Sequence, residues 1–491
     1  MPQFTLLVRV EAPAEGAFLS LLDSLAAQSY TGWELVIALS PRYANDRLLL
    51  DRLLIGRPQV RVVEGKPDEL VHQTCQRILN QLGTWVGFIE QDDYLVNNAL
   101  EQMALFMVAN PYGKVFYSND CYETYWGHTS FENTKGEYDP IRMRSHEYLG
   151  SLTFINVAQL RDMGGFDLSC GDSPAQDLYL RMPSPDVFVY VPHQLIRHLR
   201  TYREPVPVNP KHRLHMVQYD LRAIQNNLLR NKEDAEAIQL NGTAVIKYRA
   251  RAHGTVSAYI VVDDNVTIGA ERIRRAMTVG DQRFASVYIV HLGSDLDASV
   301  KYRELSMAFG TRYWMSQSSL GEVLNERLPY ESSEWILVLT GSPVSPSWAT
   351  DLIRHTHLAT VGAVAAATLF LDRLVFPGVI NHRYSGWHWN TRGRYNHMRV
   401  PHSMSTVPTG CCLLNTQDLL ALGRVADPNY PTYWGMDLGV RLNSMFRNII
   451  YVPSAVVEVA QLPARVEPEI LAWRAQWSGW VDQFELHDPL S

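Results

Sequence analysis

The chain has little of what would direct it to a membrane, a disulfide scaffold or nucleic acid. Its 491 residues include five cysteines, Cys75, Cys121, Cys170, Cys411 and Cys412. The number is odd and no metal-ligand spacing is present, which points to a reducing compartment. No secretory core is read at the N-terminus, where Glu11 and Glu15 interrupt the apolar run such a core needs. The most apolar later run, Val361 to Leu371, is too short to cross a bilayer and reads as a buried strand. A cytoplasmic location follows as the expectation, with any contact at the inner face of the membrane peripheral. The net charge is −7 and the basic residues are dispersed. Phosphate backbones need a concentrated basic face, so nucleic acid is a poor candidate for the main partner.

What the chain does have is bulk and order. An apolar share of 46% with 19% charged residues fits a globular protein with a substantial core, and the length suggests two to four domains. Strand-like and helix-like segments alternate from the start. Phe4–Val10, Trp33–Leu39, Val60–Val63, Trp85–Ile89 and Lys114–Tyr117 read as strands; Phe18–Ala27, Asp46–Leu54, Leu70–Leu82 and Ala99–Ala109 read as helices. That alternation means βαβ units on a mostly parallel sheet, an α/β class. Three prolines, Pro205, Pro207 and Pro210, break the order, and 211 to about 238 then reads as a long polar connector helix. Alternation restarts with Val256–Val262, Gly269–Met277 and Ser286–His291. It continues through Leu320–Arg327, Trp335–Leu339, Trp348–His357 and Val361–Leu369. The second half echoes the first, so two tandem Rossmann-like α/β domains are expected, 1–205 and 254–491, with a linker over 206–253.

The segment Trp85–Leu95 is the most telling. Five mostly apolar residues run directly into Glu90, Asp92 and Asp93. A strand covered on both faces cannot hold carboxylates in its middle, so they belong at its C-terminal edge, where open α/β sheets bind ligands. Glu90 and Asp92, two apart, point the same way in extended backbone, and paired hard oxygens suit Mg²⁺ or Mn²⁺. An acidic loop capping the next helix is the plainer alternative. The second half keeps the strand, Trp335–Leu339, and replaces the acidic motif by Thr340-Gly341-Ser342.

Taken in order, these residues resemble tandem family-2 glycosyltransferases of the GT-A fold, the bacterial surface-polysaccharide kind, over nearly the whole chain. Ser24 to Tyr30 followed by Trp33-Glu34-Leu35 is similar to the family's first helix and second strand. Glu90-Gln91-Asp92-Asp93 stands where the family has its metal-binding DxD, and Tyr117-Ser118-Asn119-Asp120 resembles the next strand end. Gly164 to Asp167, then Gln176 to Arg181, resembles the acceptor-side helix, and Pro192 to Arg200 the closing strand. The resemblance implies an inverting, cation-dependent transferase. A nucleotide-diphosphate sugar, a UDP-sugar or alternatively a dTDP-sugar, would donate to a glycan or other hydroxyl acceptor. Asp92 with Glu90 and His198 would hold the metal, and Asp93 would sit with them at the donor. A carboxylate base would take the acceptor's proton.

Three departures qualify this. Leu39-Ser40 stands where the family carries a nucleotide-binding Asp, leaving Ser40 at the donor. The metal motif is ExD. The base falls on Asp177 if Gln176-Asp177 is aligned, with Asp172 as the alternative; aligning on Asp177 to Arg181 instead puts Ala175 there. In the second domain Pro408 to Leu414, Asp437 to Arg441 and Tyr451 to Ala455 match the scaffold. Its metal motif is gone, its base position is Gly435, and Glu458-Val459 replaces the histidine, so this domain is expected to be inactive. Trp387 and Trp389 either stack on an acceptor sugar or cover the second sheet. Asp263-Asp264 reads as a cap or turn, and Cys411-Cys412 as core.

Two further readings remain open. One is a non-catalytic tandem pseudo-transferase that binds glycans or acts as a scaffold. The other is a nucleotidyltransferase, which would need a glycine- and lysine-rich phosphate loop where Glu11 to Gly16 stands.

Overall fold

The computed structural model describes residues 2–10, 15–39, 47–64, 66, 71–124, 129–171, 174–200, 210–240, 243–249, 255–279, 284–358, 360–375, 400–461 and 466–478. Two compact units divide at Ile246/Lys247. In the first, Phe4–Val10 lies parallel between Trp33–Leu39 and Trp85–Ile89, and Val60–Glu64 lies parallel outside Trp33–Leu39. Side chains alternate between two buried layers. Leu6, Val8, Leu35, Ile37 and Ile89 enter one core; Leu7, Val36 and Val86 enter the other. Burying each Leu or Ile contributes about 1.5–3 kcal/mol, which is why these strands read as unbroken apolar runs.

Past Trp85–Ile89 the sheet becomes mixed. Phe154–Asn156 runs antiparallel between Trp85–Ile89 and Val115–Thr124. Val115–Thr124 runs parallel to Phe188–Arg200, and the short strand Asp93–Leu95 closes the edge antiparallel to Phe188–Arg200. The second unit repeats this strand for strand: Arg312–Ser316, Ser286–Leu292, Val256–Val262, Trp335–Leu339, Cys411–Asn415, Val361–Phe370, Asn448–Glu458 and Ser342–Pro343, in the same lateral order. The antiparallel strand falls at the same place in both. The echo in the sequence is a duplicated topology.

Two stretches differ from expectation. The connector helix is Pro210–Arg230, and the chain after it forms a β-hairpin of Ala235–Leu240 and Thr243–Tyr248 rather than more helix. Lys232 takes φ 56°, which ends the helix, and the residues beyond alternate with period two. The helix is also part of the first unit: Arg144 holds Glu233 at 2.6 and 3.0 Å, and Asn227 donates to the Leu180 carbonyl at 2.9 Å. In the second unit, the helix Leu296–Phe309 and the strand Arg312–Ser316 fill a region the periodicity leaves blank. That helix exposes Leu296, Val300 and Met307, so its apolar residues do not mark a single buried face. Among the described residues no helix is long and apolar enough to cross a membrane.

Candidate functional site

The acidic motif lies at the end of Trp85–Ile89 on a closed turn. The Glu90 N–H donates to Asp93 Oδ2 at 2.7 Å, and the Asp93 N–H to the Glu90 carbonyl at 3.2 Å. The Leu199 N–H donates to the Asp92 carbonyl at 2.9 Å, fixing the turn to the closing strand. Glu90 and Asp92 are exposed on this turn, whereas Asp93 is fully buried. Asp93 therefore shapes the turn rather than facing a donor, contrary to its expected place. Lost hydration, then the neighbouring Asp93 charge, pushes the Asp92 carboxyl above its usual range. An exposed pair of hard oxygen donors in which one carboxylate is electrostatically uncomfortable fits a divalent cation.

Behind the turn runs an alternating series of charges. Asp93 Oδ1 accepts from His198 Nδ1, and His198 Nε2 lies 3.9 Å from Asp120 Oδ1. Asp120 Oδ2 takes Lys135 Nζ at 3.0 Å and Asn133 Nδ2 at 3.1 Å, and Lys135 Nζ also donates to the Leu149 carbonyl. Burial alone would lower the His198 pKa; the two flanking carboxylates reverse that and raise it to about 9. Burial would raise Asp120, but Lys135 and His198 bring it down to about 2. His198 thus stands as an imidazolium between two carboxylates. It is not grouped with Glu90 and Asp92 as a third metal ligand in this conformation.

Sheet irregularities set this up. Val115–Thr124 slips register against Phe188–Arg200 at Ser118/Asn119 and again at Asn119/Asp120, after which Asp120 faces Ile196 and Tyr122 faces His198. Bulges of this kind re-aim side chains near ligand sites. The strand is also longer than the expected Lys114–Tyr117, so Asp120 lies inside it rather than at its end. Lys135 carried no signal in the sequence: a lone lysine between strands is ordinarily a solvated one.

Asp177 is not part of this series of charges. It is fully buried on the helix Pro174–Arg181, with Oδ2 on Arg181 Nε at 2.7 Å and Oδ1 on an Arg230 guanidinium nitrogen at 3.0 Å. Arg181 also donates to the Met163 and Gly165 carbonyls at 2.8 and 2.6 Å. The second unit builds the same device: Asp437 on Arg441 at 2.7 Å, with Arg441 donating to the Arg424 and Val425 carbonyls at 2.8 and 2.7 Å. A carboxylate locked between guanidiniums with no exposed surface cannot reach an acceptor hydroxyl. Asp177, expected as the base, stands here buried in ion pairs with Arg181 and Arg230. The shared Asp-to-Arg spacing brings Ala175 and Gly435 into correspondence, two residues earlier.

Among the described residues, the one set of three His, Cys, Asp or Glu side chains with ligand atoms within 4.8 Å of one another is Asp167, Cys170 and Asp177. Its members are already served by protein groups. Asn226 Nδ2 reaches Asp167 Oδ2 at 3.3 Å and Cys170 Sγ at 3.7 Å, and burial pushes the Cys170 thiol up to about 11. Ser40, Asp172, Trp387 and Trp389 lie outside the described residues.

At the matching edge of the second unit, Thr340 donates to the Thr409 carbonyl at 2.9 Å, and Ser342 sits opposite Glu458. Asp263 and Asp264 serve a turn and a cap. Asp263 accepts from the Asn265 N–H at 2.9 Å; Asp264 accepts from the buried His291 at 2.7 Å and the Asp295 N–H at 3.0 Å. Cys411 and Cys412 are core residues.

No family model matches the chain. It is 21% identical over 476 residues to the O-antigen biosynthesis protein RfbC of Myxococcus xanthus, covering 91% of this chain and 36% of RfbC. The chain is thus similar over most of its length to a protein named for O-antigen biosynthesis, and it is built as two α/β units of one strand order. It is also 19% identical over 528 residues to the uncharacterized protein y4gI of Sinorhizobium fredii, covering 99% of this chain and 56% of that one. The chain therefore spans about a third to just over half the length of these relatives. Among solved structures it is similar to S. aureus TarS 1–349 in complex with UDP, at a TM-score of 0.35 and 16% identity, over 46% of this chain and 65% of that one. The same TarS fragment in complex with UDP-GlcNAc gives a TM-score of 0.36 and 16% identity, over 46% and 66%.

Proposed function

We propose that the first unit transfers a sugar from a nucleotide-diphosphate donor to a hydroxyl acceptor with inversion, and that the second unit has no transfer chemistry of its own. One observation carries this reading. Of two units with the same strand order, one presents Glu90 and Asp92 exposed on a braced turn at the ligand-binding edge, and the other presents Thr340-Gly341-Ser342 there. Glu90 and Asp92 would hold Mn²⁺ or Mg²⁺, whose chemistry when bound is to neutralise charge developing on the diphosphate. In the transfer the acceptor oxygen attacks the anomeric carbon, the bond to the diphosphate oxygen breaks, and the hydroxyl proton passes to a carboxylate. With Asp177 locked away, Asp172 is the carboxylate to test in that role. The second unit would bind the acceptor or serve as a scaffold.

The experiment is donor hydrolysis and transfer across a panel of UDP- and dTDP-sugars, with Mn²⁺ and with EDTA. A Mn²⁺-dependent response to one donor, lost in Asp92→Ala and lowered in Asp172→Asn, supports the proposal. Full turnover by Asp92→Ala would sink it. A second reading, a non-catalytic glycan-binding or scaffold protein, is favoured by Ala175 and Gly435 at the corresponding base positions. Absence of turnover with every donor and metal, from folded protein that still binds glycan, would establish it.

A further inference from the structure

We propose that Lys135 and Asp120 are positioning residues for the Glu90–Asp92 turn, acting through His198 and Asp93. The inference rests on the proposed role of that turn for its cation, but its geometric part stands by itself. Lys135 and Asp120 are both buried, as is Asp93, so the series Lys135, Asp120, His198, Asp93 is almost wholly withdrawn from water. Its last member accepts the Glu90 N–H, the bond that closes the turn. Its first member holds the Leu149 carbonyl, three residues before Leu152, whose N–H donates to the Phe88 carbonyl on the strand leading into the turn. Both ends of the series thus connect to the strand Trp85–Ile89 and the turn that follows it.

Stability does not explain such a series. Buried ion pairs are often no better for the fold than apolar residues of similar volume. The second unit provides the comparison inside the same chain. Tyr190-Val191-Pro192 matches Tyr451-Val452-Pro453, and Tyr117 faces Tyr190 as Ala365 faces Tyr451, so Thr368 takes the place of Asp120. The same topology is reached there with a buried threonine in place of the aspartate, in the unit that has no acidic turn. The buried aspartate accompanies the acidic turn, not the fold. Removing Lys135 or Asp120 alone leaves an unbalanced buried charge next to His198, which frees the imidazolium and Asp93 to shift. The turn then loses its brace.

Hydrogen exchange of the full chain without metal tests this. The variants are Lys135→Met, Lys135→Arg, Asp120→Asn and the double variant Asp120→Thr with Lys135→Met, which removes a balanced pair. In Lys135→Met and Asp120→Asn, the amides around Glu90 should exchange about tenfold faster or more, with the second unit unchanged and Lys135→Arg restoring protection. If the single variants do not fold, the double variant still reports on the turn and should show the same local loss. The half-saturating Mn²⁺ concentration for UDP-dependent thermal stabilisation should rise about 10- to 100-fold in the same variants. Wild-type protection around Glu90 in every folded variant overturns the proposal. A wild-type protein that shows the exchange pattern but no Mn²⁺ response would instead overturn the proposed function and leave the brace in place.

Discussion

The two units share a strand order and part company at one edge. In the first, the strand Trp85–Ile89 delivers Glu90 and Asp92 onto a turn backed by Asp93, His198, Asp120 and Lys135. In the second, the matching strand Trp335–Leu339 delivers Thr340, Gly341 and Ser342, and Thr368 replaces Asp120. What both retain is instructive as well. The Asp177–Arg181 and Asp437–Arg441 pairs have the same spacing, and in each the arginine also donates to two backbone carbonyls of the segment before its helix. A feature kept in both units belongs to the fold; a feature found only in the first belongs to whatever the first unit does.

The largest effect should come from removing the difference. Asp92→Ala is expected to lower Mn²⁺-dependent donor turnover about 10³-fold, measured as sugar-nucleotide hydrolysis, with unfolding unchanged. Breaking what the units share should act on stability instead. Arg181→Met and Arg441→Met each remove the arginine paired to a buried carboxylate and should cost about 3–5 kcal/mol in the unit that carries them, read by urea unfolding. Equal destabilisation in the two would confirm the pairs as one structural device; a large loss from one alone would separate them.

A smaller effect concerns His198. Its pKa is raised to about 9, from an ordinary value near 6.5. A raised value means the folded state holds the proton more tightly, so the contribution is complete below about pH 6.5 and is lost as pH rises through about 9. In EDTA, wild type should exceed His198→Gln in stability by on the order of 2 kcal/mol at pH 6, and the gap should close by about pH 10. A gap independent of pH would show that the ring acts by packing alone. The smallest effect is expected from grafting. Thr340→Glu with Ser342→Asp should give the second unit no thermal response to Mn²⁺ and UDP, because Thr368 stands where Asp120 backs the first unit's turn. A response comparable to the first unit's would show that the turn alone suffices.

Much of the scaffold is legible in the sequence. Trp33–Leu39, Trp85–Ile89, Ala99–Ala109, Leu320–Arg327 and Trp335–Leu339 have the expected bounds. These are central strands buried on both faces, or helices with clear start signals. Ser319 and Glu322, for example, form a reciprocal capping box ahead of Leu320–Arg327. The exposed pair Glu90 and Asp92 was legible for the same reason, as charges at the end of an apolar strand. The interior of the site was not. His198 depends on Asp120, which reaches it only after two register slips that no periodicity announces. The burial of Asp177 in ion pairs was not legible either, because one of its partners, Arg230, comes from 53 residues away on a helix that reads as a connector. That connector itself was overextended. Asn241-Gly242 between two alternating runs is a strong hairpin signal, and it outweighs the helical propensity of the residues before it.

The central claim is that only the first unit carries a cation and donor site. Calorimetric titration of the full chain with Mn²⁺ in the presence of UDP measures it most directly. One site per chain, absent in Asp92→Ala and unaffected by Ser342→Ala, is the expected result. Two sites per chain, or a single site that survives Asp92→Ala, would contradict it.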